Sequence, residues 1–440
     1  MAVIKFRKPG SNLPDAQDND YDGLYSAGGT DGGAEEERET APQRRGSAVR
    51  SVLRTLLAVG SVVLLIALIF IQSKVRTFTS ATYSKIADLT GDSDAQYTAL
   101  GSNIVSYSRD GASCMDVHGK KIWSVSYEFQ KPLTAAAGSI LAIADYNGNE
   151  IHILGADGEI GKVDTGKPIR MIAASESGEV AAVLEDSDVT WIYLYSQKGE
   201  TIAYFKTTMA QSGYPLAVAI SPNGEVVGVS HLTIGTQTPQ TSIAFYNFGA
   251  VGANSVENNV SGFNYDNEVF PYLRYVGENT MTAVSDRRIA FFTGKEIPES
   301  GANAMFNAEV QGVFAGGSYT GVLFANSAGG SADDAGDNKA AGASSTDASG
   351  QSSAYRLRIY NNSGNVISEI PFSLEYSDIL ISGERVIVYN AQRLQIYSLS
   401  GNLRYDGEFK TDVKAVIPDA DSATKLVLIE EKKAELMTLE

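Results

Sequence analysis

A β phrase closed by glycine recurs along most of this chain, and a repeat of that size dictates a fold that grows by adding units rather than by enlarging one core. Each copy is an apolar strand ending in aromatic or aliphatic residues, followed by a turn: CMDVHG at Gly119, HILGADG at Gly158, IYLYSQKG at Gly199, IAFYNFG at Gly249, IAFFTG at Gly294, LRIYNNSG at Gly364 and LQIYSLSG at Gly401. Successive glycines stand 39, 41, 50, 45, 70 and 37 residues apart. A four-stranded propeller blade takes roughly 40 to 50 residues, so five of the six intervals describe blades and the remaining one, of 70, carries an insertion. That insertion is residues 326–353, built almost entirely from Gly, Ala, Ser and Asp. Such a composition buries no apolar surface and reads as a flexible linker inside a hairpin of the sixth repeat.

Apolar, β-branched strands precede the phrases, as in ILAIADY, VAAVLED, VVGVSHL, RVIVYNA and KLVLIEE. They are the expected partners within each blade. An eighth copy, AELMTLE, ends the sequence before a fourth strand can form. Residues Thr82 to Leu89 are positioned to supply the missing strand and close the ring, which would remove the open strand edges that invite aggregation. The expectation is an all-β, eight-bladed β-propeller over 82–440, with a seven-bladed ring as the alternative.

Residues Leu53 to Ile71 read LRTLLAVGSVVLLIALIFI. This is close to the roughly 20 apolar residues a helix needs to cross the hydrocarbon layer. Arg54 lies at the edge, where its side chain can snorkel. The segment 52–72 is therefore expected to be one uncleaved transmembrane helix, since about 50 residues precede it where a signal peptide has a short leader. Arg44, Arg45, Arg50 and Arg54 outweigh Lys74, Arg76 and Lys85, placing the N-terminus in the cytoplasm and the propeller outside. Residues 1–51 run from the basic Lys5, Arg7 and Lys8 to an acidic stretch ending in EEERE at Glu35 to Glu39, too polar to fold alone. They read as a disordered cytoplasmic tail.

The formal charge of −17 disfavours nucleic-acid partners, because an acidic surface repels phosphate and no basic stripe appears after the span. Cys114 is the only cysteine, so neither an intramolecular disulfide nor a thiolate metal cluster can be assembled from this chain alone. His118, His152 and His231 fall in different repeats with no metal-ligand spacing. Asp145, Asn147 and Asn149 imitate the start of a calcium loop. Glu150 and Ala156 then stand where an EF-hand needs glycine and a carboxylate, so a hairpin turn explains them better. Asp116, Gly119 and Trp123 in DVHGKKIW resemble part of a quinoprotein-type repeat, in which the tryptophan packs between blades. No serine occupies a nucleophile elbow, and no Gly-rich segment both follows a strand and opens a helix. No catalytic, cofactor or metal set emerges.

The passages SGYPLAVAISPNGEVVGVSHL, from Ser212 to Leu232, and IAFYNFGAVG, from Ile243 to Gly252, are the most distinctive. With YSRDG at Tyr107 to Gly111 and the DVHGKKIWSVSYE run, they resemble an uncharacterised family of single-span, propeller-like proteins of Gram-positive bacteria, classed as a domain of unknown function. The resemblance implies membrane location and a propeller-like fold, and it transfers no active site. Tyr214 and Pro215 fall at a strand-to-strand crossing, where propellers expose binding loops, and are the candidate interaction loop.

The function expected from these features is a membrane-anchored, extracytoplasmic binding, scaffold or sensor module without enzymatic activity, its partner a protein or another cell-envelope component. The alternative is a quinoprotein-like or hydrolase-type propeller enzyme whose residues are spread over several blades.

Overall fold

A computed structural model describes residues 56–65, 76–89, 94–187, 189–208, 212–234, 238–326 and 352–440. The expected tail, most of the expected span and nearly all of the insertion lie outside these residues. The chain divides into two units, 1–74 and 75–440. In the first, residues 56–65 are helical. No helix among the described residues is long and apolar enough to cross a membrane.

The second unit contains eight antiparallel four-stranded sheets. Blade 1 runs from Gln96 to Ser126, blade 2 from Pro132 to Asp164, blade 3 from Ile169 to Thr208 and blade 4 from Tyr214 to Asp266. Blade 5 spans Tyr272 to Met305, blade 6 Val310 to Phe372 and blade 7 Asp378 to Glu408. Blade 8 combines Val413 to Leu439 with Ala81–Asp88. First strands of neighbouring blades touch one another, so they line the axis while fourth strands form the rim. The eight-bladed ring stands, and the seven-bladed alternative does not.

The recurring phrase is the third strand of each blade and its exit turn, and the apolar strand before it is the second. Second strands are buried along almost their whole length, as in Ile140–Asp145, Thr280–Val284 and Arg385–Tyr389. A neighbouring blade covers each of their faces, and this is why they read as continuous apolar runs rather than as alternation. The core is a series of interblade layers. One is built from Ala142, Ile151, Ile153, Val180, Ala182 and Leu184 between blades 2 and 3. Another joins Phe245, Phe270, Met281 and Phe292 between blades 4 and 5. Rim strands alternate instead, as Thr201–Thr208 does with its outward residues exposed.

Ring closure follows the expected route. Ala81–Asp88 pairs antiparallel with Lys433–Leu439, from Ala81 opposite Leu439 to Asp88 opposite Lys433, with a bulge between Lys85 and Ala87. Leu89 extends the ladder through its N–H to Lys432 O at 2.8 Å. Ile86 and Leu89 pack with Ile104, Val427 and Ile429 across the junction of blades 8 and 1. The segment before the strand is also tied down, with Phe78 N–H donating to Arg404 O at 2.7 Å and Glu440 N–H to Ser80 O at 2.9 Å. In blade 6 the insertion hangs from a closed hairpin neck. Ala325 pairs with Tyr355, and Asn326 N–H donates to Ala354 O at 2.8 Å.

The closing strand predicts a large effect of its removal. Several ladder bonds at about 0.5 to 1.5 kcal/mol each, plus partial burial of Ile86 and Leu89, amount to a sizeable share of the 5 to 15 kcal/mol that stabilises a typical domain. A variant chain starting at Asp94 should melt well below one starting at Arg76, or aggregate through the exposed edge of Lys433–Leu439. Equal melting temperatures and solubilities would exclude closure by this strand.

Candidate functional site

The residues singled out in the sequence fall into separate places. Tyr214 and Pro215 stand just past the blade 3 to blade 4 connection, as the first two residues of Tyr214–Ile220, rather than in a loop. They pair with Leu232 and His231, and a register shift follows Pro215. A proline has no N–H for the ladder, so it sits where pairing is interrupted. Tyr214 is half-exposed and Pro215 buried, leaving only the tyrosine reachable.

Trp123 lies on the rim strand of blade 1, and its indole Nε1–H donates to Ala156 O of blade 2 at 3.1 Å. Gly119 turns against the closing strand, where an added Cβ would meet Ile86 O at 2.6 Å. Asp116 caps that turn by accepting N–H bonds from His118 at 2.8 Å and Lys120 at 2.9 Å. All three therefore serve blade packing and turn geometry. Asp145, Asn147 and Asn149 form a hairpin turn with Asn147 at positive φ. Asp145 Oδ1 accepts from Gln130 N–H at 3.0 Å and Lys131 N–H at 2.8 Å, anchoring the chain that enters blade 2.

His152 is buried between blades 1 and 2. Its Nδ1 lies 2.6 Å from Glu159 Oε1 and its Nε2 lies 2.6 Å from Glu150 Oε1, with Lys162 Nζ 2.7 Å from the same Glu150 oxygen. Burial alone would raise the Glu150 carboxyl, but the hydrogen bonds from Lys162 and His152 hold it below the usual range. His231 is buried with Nε2 unpartnered, and desolvation pushes its imidazole down to about 4. Cys114 is buried and its thiol is pushed up to about 11, first by burial and then by nearby Asp116. Among the described residues, no group of three or more His, Cys, Asp or Glu is arranged to hold a metal ion.

The concave site nearest to these features is a cleft of about 450 Å³ where blades 1 and 2 meet. Asp94, Gln96, Tyr107, Ser108, Arg109, Gln130, Lys131 and Pro132 line it. Its frame is the connection between the two blades. Phe129 N–H donates to Arg109 O at 2.8 Å, fastening that connection to the second hairpin of blade 1. Tyr146 N–H donates to Lys131 O at 2.9 Å, fastening it to blade 2. Below, Tyr127 and Phe129 stack with centroids 4.2 Å apart over His152. The rim is ordered too: Tyr107 Oη–H donates to Gln96 Oε1 at 2.8 Å, and Lys131 Nζ sits 4.7 Å above the Tyr146 ring. Sequence reasoning quoted Arg109 inside YSRDG but gave it no role, because a basic residue in a polar hairpin carries no local sign of what the next blade brings beside it.

A second surface is aromatic. On the rim of blade 3, Tyr193 and Tyr204 stack with centroids 5.0 Å apart and 16° between planes, and Trp191 lies 5.9 Å from Tyr204. Tyr204 is 59 % and the adjoining Ile202 48 % exposed.

Comparison with known proteins follows from the fold. The chain is similar to BamB from Moraxella catarrhalis, at 12 % identity and a TM-score of 0.43, over 81 % of this chain and all of that one. It is similar to the Pan2 WD40 domain of Neurospora crassa, at 10 % identity and 0.39, over 70 % and 89 % of the two chains. A third likeness is KlHsv2 with loop 6CD replaced by a Gly-Ser linker, at 13 % identity and 0.35, over 50 % and 74 %. No curated protein sequence matches the chain. One family model, described as a family of unknown function (DUF5711), matches residues 74–439.

His231 yields a pH prediction. Its folded-state value of about 4 lies below the ordinary 6.5, so between those values the unfolded chain binds a proton that the folded chain refuses. Stability from this residue is complete above about pH 6.5 and is lost as pH falls toward 4, by about 3 kcal/mol in total. Urea unfolding of His231→Gln between pH 7.5 and 4.5 should show a correspondingly shallower loss than the parent chain. Identical slopes would mean that His231 is protonated without unfolding.

Proposed function

The chain belongs to the DUF5711 family, and from its own geometry we propose that it is a non-enzymatic scaffold that binds a protein partner, anchored in the cell membrane with its propeller outside the cytoplasm. The observation that carries the binding reading is the exposed aromatic ribbon on blade 3. Tyr and Trp are enriched where proteins meet, because a large rigid ring buries much area at little entropic cost while its polar tip stays hydrated. Trp191 and Tyr193 are packed from beneath by the layer between blades 2 and 3, so Tyr204 and Ile202 are presented on a fixed base. A closed ring suits this role, since a partner meets a surface that has little ordering entropy left to lose.

A photo-reactive amino acid at position 204, introduced in cells, should give one discrete protein adduct, lost on Ile202→Asp. The same reactive group at Lys198, in the exit turn of the same blade, should not give it. No adduct at 204, or the same adduct from both positions, would remove the ribbon as a binding surface.

Support for anchoring and orientation comes from the apolar run 53–71 and the arginines before it. The protein is well suited to a thiol test because Cys114 is buried and, with its thiol pushed up to about 11, nearly unreactive at neutral pH. A membrane-impermeant maleimide should label Lys198→Cys in intact, wall-stripped cells and leave the parent chain unlabelled. Ser11→Cys should react only after permeabilisation. The reverse pattern would turn the topology over.

A further inference from the structure

The cleft between blades 1 and 2 combines features that the scaffold itself does not use. Several basic side chains of this acidic chain are matched with carboxylates. Lys162 pairs with Glu150, Lys167 with Asp186, Arg170 with Glu185, Arg288 with Glu268, Arg358 with Glu369, Arg393 with Asp406 and Lys433 with Glu435. Like other lysines and arginines of the ring, Arg109 and Lys131 make no ion pair among the described residues, and these two line one cleft together. Lys131 Nζ lies over the aromatic face of Tyr146.

We infer that this cleft is a binding site for the carboxylate of a short extended peptide, with Arg109 and Lys131 receiving the charge. A guanidinium presents parallel N–H donors that match the two oxygens of a carboxylate, and an ammonium adds a point charge without demanding direction. With Asp94 the lining carries two positive charges and one negative, a balance that accepts one carboxylate and disfavours a polyanion. Gln96 and Gln130 offer amides, and Tyr107 and Ser108 offer hydroxyls, so the remaining wall can both donate to and accept from peptide groups. The volume of about 450 Å³ admits a few residues and falls within the usual range of ligand sites. Two of the wall's elements are held independently of any ligand, Gln96 by Tyr107 and the Gln130–Lys131 backbone by Asp145, which limits the ordering cost of binding.

The cleft shares no residue with the aromatic ribbon, so this inference goes beyond the scaffold reading and can fail without it. The test is calorimetric titration of the full chain in detergent with three probes: N-acetyl-trialanine as free acid, the same peptide as its amide, and N-acetyl-Ala-Glu-Ala amide. The free acid should bind at least about tenfold more tightly than its amide, and raising salt from about 0.05 to 0.5 M should weaken it several-fold. If the Glu peptide matches the free acid, the source is an acidic side chain as well as a C-terminus; if it matches the amide, the site reads a C-terminus. Arg109→Gln should abolish the preference for the acid, and Lys131→Gln should reduce it. Both side chains are exposed, so melting temperatures should stay near the parent value, and the acid-to-amide contrast in the parent chain stands whatever the variants do. Equal binding of acid and amide, no heat from either at about 10 mM, or an unchanged preference in a folded Arg109→Gln chain would overturn the inference.

Discussion

Everything in this ring rests on how the exit turn of each third strand meets the blade before it. At Gly199 the backbone is left-handed, with φ of +85°, and a Cβ there would stand 2.2 Å from Lys162 O on the rim of blade 2. Gly161 on that rim is constrained in return, since its own Cβ would stand 2.2 Å from Gln197 O. Two backbones therefore touch with no side chain between them. The same turn approaches the previous rim at Gly119 against Ile86, at Gly364 against Ala302 and at Gly401 against Glu369. Where a glycine does not make the contact, side chains do. Asn247 Nδ2 of blade 4 donates to Glu296 O at 2.8 Å, and Ser261 Oγ donates to Pro298 O at 2.7 Å, both in the exit turn of blade 5.

This contact also explains which parts of the fold were legible in the sequence. Gly119, Gly199 and Gly364 stand in register because each answers that close approach, and the other phrase glycines keep the period as residues of the equivalent turn. Second strands were visible because both faces are covered, giving runs such as Val180–Asp186 and Lys425–Glu430. First strands and rim strands were not. Glu299–Met305 is almost wholly exposed, and Gly158–Asp164 sets Ile160 and Val163 among glycines and charged residues, so neither carries a continuous apolar signature. The closing strand could be inferred only by counting, from a last repeat that lacked a partner.

The candidate sites were less legible than the fold, for a related reason. Tyr204 reads as one more aromatic in a strand, and only the pairing of Tyr193 with Tyr204 across the ladder makes a ribbon of them. Arg109 and Lys131 are 22 residues apart in sequence and meet only because one blade ends where the next begins. Tyr214 and Pro215 show the converse. Their composition suggests a turn, but pairing with His231 and Leu232 draws them into a strand. Local chemistry suggested where loops could lie, whereas the blade-to-blade contacts decided which residues face a common space.

The strand order then assigns the two faces of the ring different work. In antiparallel blades, the hairpin between second and third strands and the connection to the next blade emerge at the same end. The cleft, made from residues 94–96, 107–109 and 130–132, lies on that face, as does the hairpin neck of the insertion at Ala325 and Tyr355. The chain enters the ring on the opposite face, because Ala81 pairs with Leu439 at the far end of the last third strand. That end is already occupied, with Phe78 and Ser80 bonded to Arg404 and Glu440. Closing the ring with an N-terminal strand thus does two things at once. It seals the open edge of blade 8, and it brings Phe78 and Ser80 in on the exit-turn face, opposite the cleft.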